Sequence, residues 1–170
     1  MEVALVSSTS IRLKGKVVSF VVDPVSAKSK VQADAIVLLQ DRATDALVEG
    51  SRLTMSGPGE YEISGVKITG IAGGESTSYF LTLDGVTVLL SKASTLKGKE
   101  SLRDVDVTVL LADEVADQAA LTTVTSEVAL FYGEKAAENA KALGKEPQVM
   151  NKYVVTKDKL PAELEVVLLA

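Results

Sequence analysis

Short aliphatic runs recur from one end of the chain to the other, at residues 3–6, 17–22, 35–39, 66–71, 79–83, 86–90, 106–111, 127–131, 152–156 and 164–169. Each is too short for a buried helix and rich in Val and Leu, which reads as strand. The connections are as informative as the runs. In Leu83-Asp84-Gly85-Val86 an Asp-Gly pair sits between two apolar segments, the strongest short-range hairpin signal, because both turn positions need positive φ. Lys14-Gly15 and Ser64-Gly65 are weaker versions of the same device. The first two-thirds of the chain therefore has the character of a β-meander.

Helical patterning comes later. Residues 134–143 carry Ala136, Ala137, Ala140 and Leu143 at helical spacing, with Gly144 set to end the helix and Pro147 beyond it. A second helix is expected from an Asp113 cap through Leu121, with Val115, Ala119 and Ala120 turned inward, and a short third one over 97–103. Residues 104–111, Asp-Val-Asp-Val-Thr-Val-Leu-Leu, read as a strand that runs into the core. No low-complexity tract, charge run or Pro/Ser-rich linker divides the 170 residues, so a single domain over 1–170 is expected.

The chain contains neither histidine nor cysteine. That removes the usual zinc ligands, Ser-His-Asp triads, thiol nucleophiles and disulfides together. A net charge of −5 argues against nucleic-acid binding by counterion release, and 4% aromatic residues offer no stacking platform for bases. No apolar run approaches the ~20 residues of a membrane span, and Met1-Glu2-Val3-Ala4-Leu5 lacks a basic leader region. A cytoplasmic protein that binds neither membrane nor nucleic acid is expected.

One stretch is distinctive. Gly57-Pro58-Gly59-Glu60-Tyr61-Glu62, continuing into Ile63-Ser64-Gly65-Val66, resembles a segment of the metallo-β-lactamase-fold superfamily, in its small single-domain branch of zinc-dependent hydrolases. Asp23-Pro24, the 33–38 strand, Leu83-Asp84-Gly85-Val86 and the 102–107 segment agree with that family in order and spacing. The resemblance implies an α/β fold, a strand-rich four-layer αββα sandwich with metal held at one edge by loops that follow the strands. It also implies self-association, so a homo-oligomer is expected.

The family's first ligand set is His-x-His-x-Asp-His, directly after a buried strand. The matching positions here are Gln40, Arg42, Thr44 and Asp45. Further family ligands fall near residues 72–74, around 91–93 and near Tyr132, where this chain offers no imidazole and has Ala93 in place of an expected aspartate. Arg42 is a permanent cation, and in a dication's pocket it would repel metal while pairing with Asp45 or Asp23; it reads equally as a solvent-facing side chain. No metal or other cofactor is expected. The resulting reading is a non-catalytic member of the fold with a structural or binding role.

Two alternatives stay open. One is a hydrolase that holds Mg²⁺ or Mn²⁺ through carboxylates alone, with Asp23, Asp41 and Asp45 converging on one point. The other is a small-molecule or peptide module using a vacated pocket near Asp23, Gln40, Ala93 and Tyr132. Other motifs carry less. Ser91 and Lys92 are strand neighbours that point to opposite faces and cannot form a dyad. Glu60 and Glu62 alternate along a strand as on a solvated face, and the glycines at 70, 73 and 74 read as a turn.

Overall fold

The computed structural model describes residues 1–24, 31–40, 48–96, 104–123 and 125–170. Among them the first strands are β1 (Glu2–Ser7), β2 (Ser10–Lys14), β3 (Ser19–Val22), β4 (Val31–Gln32), β5 (Ala35–Val37), β6 (Val48–Glu49), β7 (Leu53–Met55) and β8 (Gly59–Ile63). There follow β9 (Val66–Gly73), β10 (Ser76–Leu83), β11 (Val86–Lys92), β12 (Val107–Leu111), β13 (Val128–Tyr132), β14 (Gln148–Met150), β15 (Lys152–Val154) and β16 (Glu165–Leu169). Two helices, α1 (Gln118–Leu121) and α2 (Ala136–Ala142), flank β13 in sequence.

Six strands form one sheet in the order β15-β1-β2-β3-β5-β7, and eight form a second in the order β14-β16-β13-β12-β11-β10-β9-β8; β4 and β6 pair separately. All ten aliphatic runs of the sequence contribute a strand. The period of two explains how the sheets meet. Val3, Ile11, Leu13, Phe20 and Val22 of one sheet share a core with Tyr79, Leu81, Val88, Leu90, Val109, Leu130 and Val167 of the other. The intervening residues Leu89, Leu110, Phe131 and Val166 form a second core under the helices with Ala120, Ala136 and Ala140. On the outer face of the six-stranded sheet, Val21, Ile36 and Leu38 pack with Val31.

β12 and β13 are buried at every position, Val107–Leu111 and Val128–Tyr132 alike. Both lie in the parallel part of the larger sheet, where each neighbour runs the same way and both faces are covered. That is why these runs are continuously apolar instead of alternating. The antiparallel part, β8 to β11, is joined by tight turns. Ser64 (φ 51) with Gly65 (φ 78), and Asp84 (φ 54) with Gly85 (φ 82), close two of them in the left-handed conformation that the sequence signals require. Lys14-Gly15 instead opens a longer connection, closed by the Gly15 N–H donating to the Val18 carbonyl at 2.9 Å.

The Gly-Pro-Gly-Glu-Tyr-Glu block makes the turn into the edge strand β8. Tyr61 Oη donates to the Gly57 carbonyl at 2.8 Å, and its ring tilts against Tyr79 with centroids 6.3 Å apart. Gly70 on the neighbouring β9 lies so close that a Cβ there would stand 2.7 Å from the Gly57 oxygen. Glu60 and Glu62 face solvent, as their alternation predicts.

One helix expectation needs correction. The second helix does not start at Asp113: it is one turn, Gln118–Leu121, capped by Asp117, whose carboxylate accepts from the Ala119 N–H. Val115 and Ala119 are exposed and only Ala120 turns inward, because 113–117 is an irregular segment and a single turn buries only one side. The helix expected over 97–103 lies outside the described residues. α2 is shorter than the expected 134–143: Ala136 and Ala140 are buried as read and Gly144 (φ 72) follows its end, but Ala137 is exposed. Among the described residues no helix is long and apolar enough to cross a membrane.

Candidate functional site

The two sheets present the carboxyl ends of their parallel strands at a common edge. β3 and β5 run parallel in one sheet, and β11, β12 and β13 in the other. The sets are joined where the Thr77 N–H donates to the Leu39 carbonyl at 2.8 Å and Tyr79 Oη donates to the Leu38 carbonyl at 3.0 Å. Burial, with Tyr61 close by, pushes the Tyr79 phenol up to about 12, so it stays a donor at this junction.

Asp23 closes the end of β3. It sits at φ 44 and is buried; its N–H donates to Val37 O at 2.8 Å, and its Oδ1 accepts the Leu39 N–H at 3.0 Å. This carboxylate holds the chain where it leaves β5. The next residue in this segment, Gln40, is partly exposed, and Asp41, Arg42, Thr44 and Asp45 lie outside the described residues.

On the larger sheet, Lys92, Leu111 and Tyr132 stand side by side at the ends of β11, β12 and β13. Lys92 continues the inward-facing series Val86, Val88, Leu90, so its side chain belongs to the face between the sheets. It is only 6% exposed. Its Nζ lies 2.7 Å from Asp113 Oδ2, on the segment that follows β12. Ser91 turns the other way: its Oγ is 2.7 Å from Ser78 Oγ and also donates to the Lys92 carbonyl. The two neighbours do face opposite sides, as strand geometry requires.

Asn139 of α2 holds the Asp113 segment in place. Its Oδ1 accepts the Ala116 N–H at 2.8 Å, and its Nδ2 donates to the Glu114 carbonyl at 2.9 Å and the Lys135 carbonyl at 2.8 Å. Gly133 then lets the chain turn tightly after β13: at φ 110, a Cβ there would sit 2.7 Å from the Ala112 oxygen, which accepts the Lys135 N–H. Of the residues read from the sequence as pocket candidates, Tyr132 is buried at the end of β13 and belongs to the core between the sheets. Ala93 begins a 3-10 turn and is buried in the core under the helices.

These residues do not fit a zinc centre. The chain has no imidazole or thiolate, and among the described residues no three carboxylates converge. Asp23 is engaged with backbone, and Asp113 with an ammonium. The Lys92–Asp113 pair is the feature that reading the sequence missed. Its signal was present in the alternation Val86, Val88, Leu90, Lys92, which assigns a lysine to a core-facing position; the partner was hidden because Asp113 also reads as a helix cap.

A six-stranded and an eight-stranded sheet packed face to face, with the ends of their parallel strands gathered at one edge, define the metallo-β-lactamase fold. Solved structures agree. A Thermotoga maritima protein described as a zinc-dependent hydrolase of the metallo-β-lactamase superfamily superposes with a TM-score of 0.77 at 16% identity, covering 99% of this chain and 98% of that one. A Parabacteroides distasonis protein described as a metal-dependent hydrolase gives 0.62 at 17% identity, with 96% and 91% covered. The metallo-β-lactamase fold protein YhfI of Bacillus subtilis gives 0.57 at 10% identity, with 98% and 95% covered. At these identities the likeness is one of fold. No family model and no curated protein sequence matches the chain.

Proposed function

We propose that this chain is a non-catalytic protein on the metallo-β-lactamase fold, a pseudoenzyme that keeps the scaffold for a structural or binding role. The Lys92 ammonium carries this reading. It is buried at the carboxyl end of β11, faces the other sheet, and is 2.7 Å from Asp113. A monocation and a dication about 4 Å apart repel by about 8 kcal/mol at an effective dielectric of about 20, before any counter-charge is considered. Asp113 offsets part of that repulsion, but it does so as the lysine's partner and is then a poor metal ligand. Among the described residues of this edge, Asp23 caps the exit of β5 and Asn139 fixes the segment after β12.

Calorimetric titration of the purified chain with Zn²⁺, Mn²⁺ and Mg²⁺ tests this. The proposal expects no saturable heat with any of the three. A tight stoichiometric site for any one, with hydrolytic turnover once it is filled, would overturn it.

A further inference from the structure

A second site lies on the other face of the larger sheet, in the layer between its outer surface and the helices. There a cavity of about 280 Å³ is lined by Thr108, Leu110, Leu121, Ala129, Phe131 and Leu143, among others. Among the described residues no charged side chain lines it, which disfavours an ionic occupant. Aliphatic side chains and one aromatic ring make most of the wall, and the hydroxyl residues Thr108, Thr122, Thr125 and Ser126 the rest, as in sites for small organic ligands. One wall group is out of place. Thr108 is 3% exposed, and its Oγ1 is buried with no hydrogen-bond partner. Leaving a buried hydroxyl unpaired is unfavourable, and native proteins rarely do so without a reason. A χ1 step between staggered wells carries the threonine's hydroxyl into the place of its methyl, and the methyl into that of the hydrogen, so the oxygen can be turned toward an occupant.

We propose that this cavity binds a small uncharged amphiphile, an apolar body of about nine heavy atoms bearing one hydroxyl or amide group that pairs with Thr108. The size follows from the volume at about 30 Å³ for each water-sized group. Charge neutrality follows from the lining, and the polar group from Thr108 Oγ1, which of the four hydroxyls in the wall is the one buried and unpaired among the described residues. The site is independent of the Lys92 edge, because Thr108 shares its sheet face with Leu110 and Leu89, whereas Lys92 continues the opposite face.

Methyl NMR titration of the full chain with 2-phenylethanol, and with ethylbenzene as the analogue lacking the hydroxyl, tests the proposal. The methyl signals of Leu110, Leu121 and Leu143 should shift and saturate with both probes. The alcohol should bind about 2- to 12-fold more tightly, the factor expected of one net hydrogen bond. Thr108→Val should abolish that preference while ethylbenzene still binds, and its far-ultraviolet circular dichroism should match the native chain. Ala129→Leu, which fills the floor of the cavity, should block both probes. Linear, non-saturating shifts with both probes, equal affinities in the native chain, or a preference that survives Thr108→Val would overturn the proposal.

Discussion

Asn139 links α2 to the segment that carries Asp113, and its removal has a calculable cost. In Asn139→Ala the Ala116 N–H, which is buried, loses its acceptor, a penalty of about 1–3 kcal/mol. The Glu114 carbonyl belongs to an exposed residue and can turn to water, so its lost bond costs about 1 kcal/mol. The Lys135 carbonyl keeps its helical partner, the N–H of residue 139. Alanine's better helix propensity returns about 0.6 kcal/mol. The net loss is about 1.4–3.4 kcal/mol, or about 3–14 °C in Tm for a chain of this length.

Asn139→Asp separates hydrogen bonding from shape. The carboxyl keeps the acceptor for Ala116 but replaces the amide donor with an oxygen facing two carbonyl oxygens. Ionisation is therefore disfavoured in the folded state, and the folded pKa lies above the unfolded one. The folded state then binds more protons than the unfolded state, so stability is greatest below the unfolded value of about 4 and declines as pH rises above it. Urea melts at pH 4 and pH 7, each referred to Asn139→Ala at the same pH, read this directly. Asn139→Asp should exceed Asn139→Ala at pH 4 and lose ground by pH 7. The reasoning fails if Asn139→Ala costs less than about 0.5 kcal/mol, or if the aspartate variant shows no relative loss toward neutral pH.

Three further outcomes follow. Burial pushes the Asp106 carboxyl up, but Lys157 Nζ, 2.7 Å from both oxygens, and the Thr87 N–H and hydroxyl outweigh it and hold the group below the ordinary carboxylate range. A lowered folded pKa contributes stability above the unfolded value of about 3.9 that is lost as pH falls through the folded one. Asp106→Asn should therefore cost about 1–3 kcal/mol at pH 7 in urea melts, with the gap narrowing below about pH 4; a gap unchanged at pH 3 would contradict this. Gly70→Ala should lower stability by about 1–3 kcal/mol, because its Cβ meets the Gly57 carbonyl and Pro58, whereas Gly57→Ala, with open space around its Cβ, should leave Tm within a degree or two. Tyr79→Phe, which removes the donor to Leu38 O at the junction of the sheets, should cost about 1 kcal/mol by the same urea melts.

The strands were legible because apolar alternation and turn chemistry are local. Val86, Val88 and Leu90 facing one core and Leu89 the other, with Asp84-Gly85 at positive φ before them, are written in adjacent residues. Glu60 and Glu62 on a solvated face, and the opposed faces of Ser91 and Lys92, follow from the same period. Edge strands such as β7 and β14 were not legible, since three residues are too few to show a period. The pairing of Lys92 with Asp113 was hidden for a different reason. It joins the ends of two parallel strands across a crossover, and such a contact depends on register that no single segment carries. Asp113 was misread because an aspartate before a small-residue run satisfies a cap pattern; the true cap is Asp117, four residues later, after an irregular segment held from outside by Asn139. Tertiary hydrogen bonds, not local propensity, decide that stretch.

The central proposal is that the buried Lys92 ammonium, paired with Asp113 at this edge, stands in place of a metal there. Elemental analysis of the purified, extensively dialysed chain tests it most directly. The account predicts zinc, manganese and iron all far below one equivalent, with no hydrolysis on adding any of them. Stoichiometric metal that survives dialysis and supports hydrolysis would contradict it.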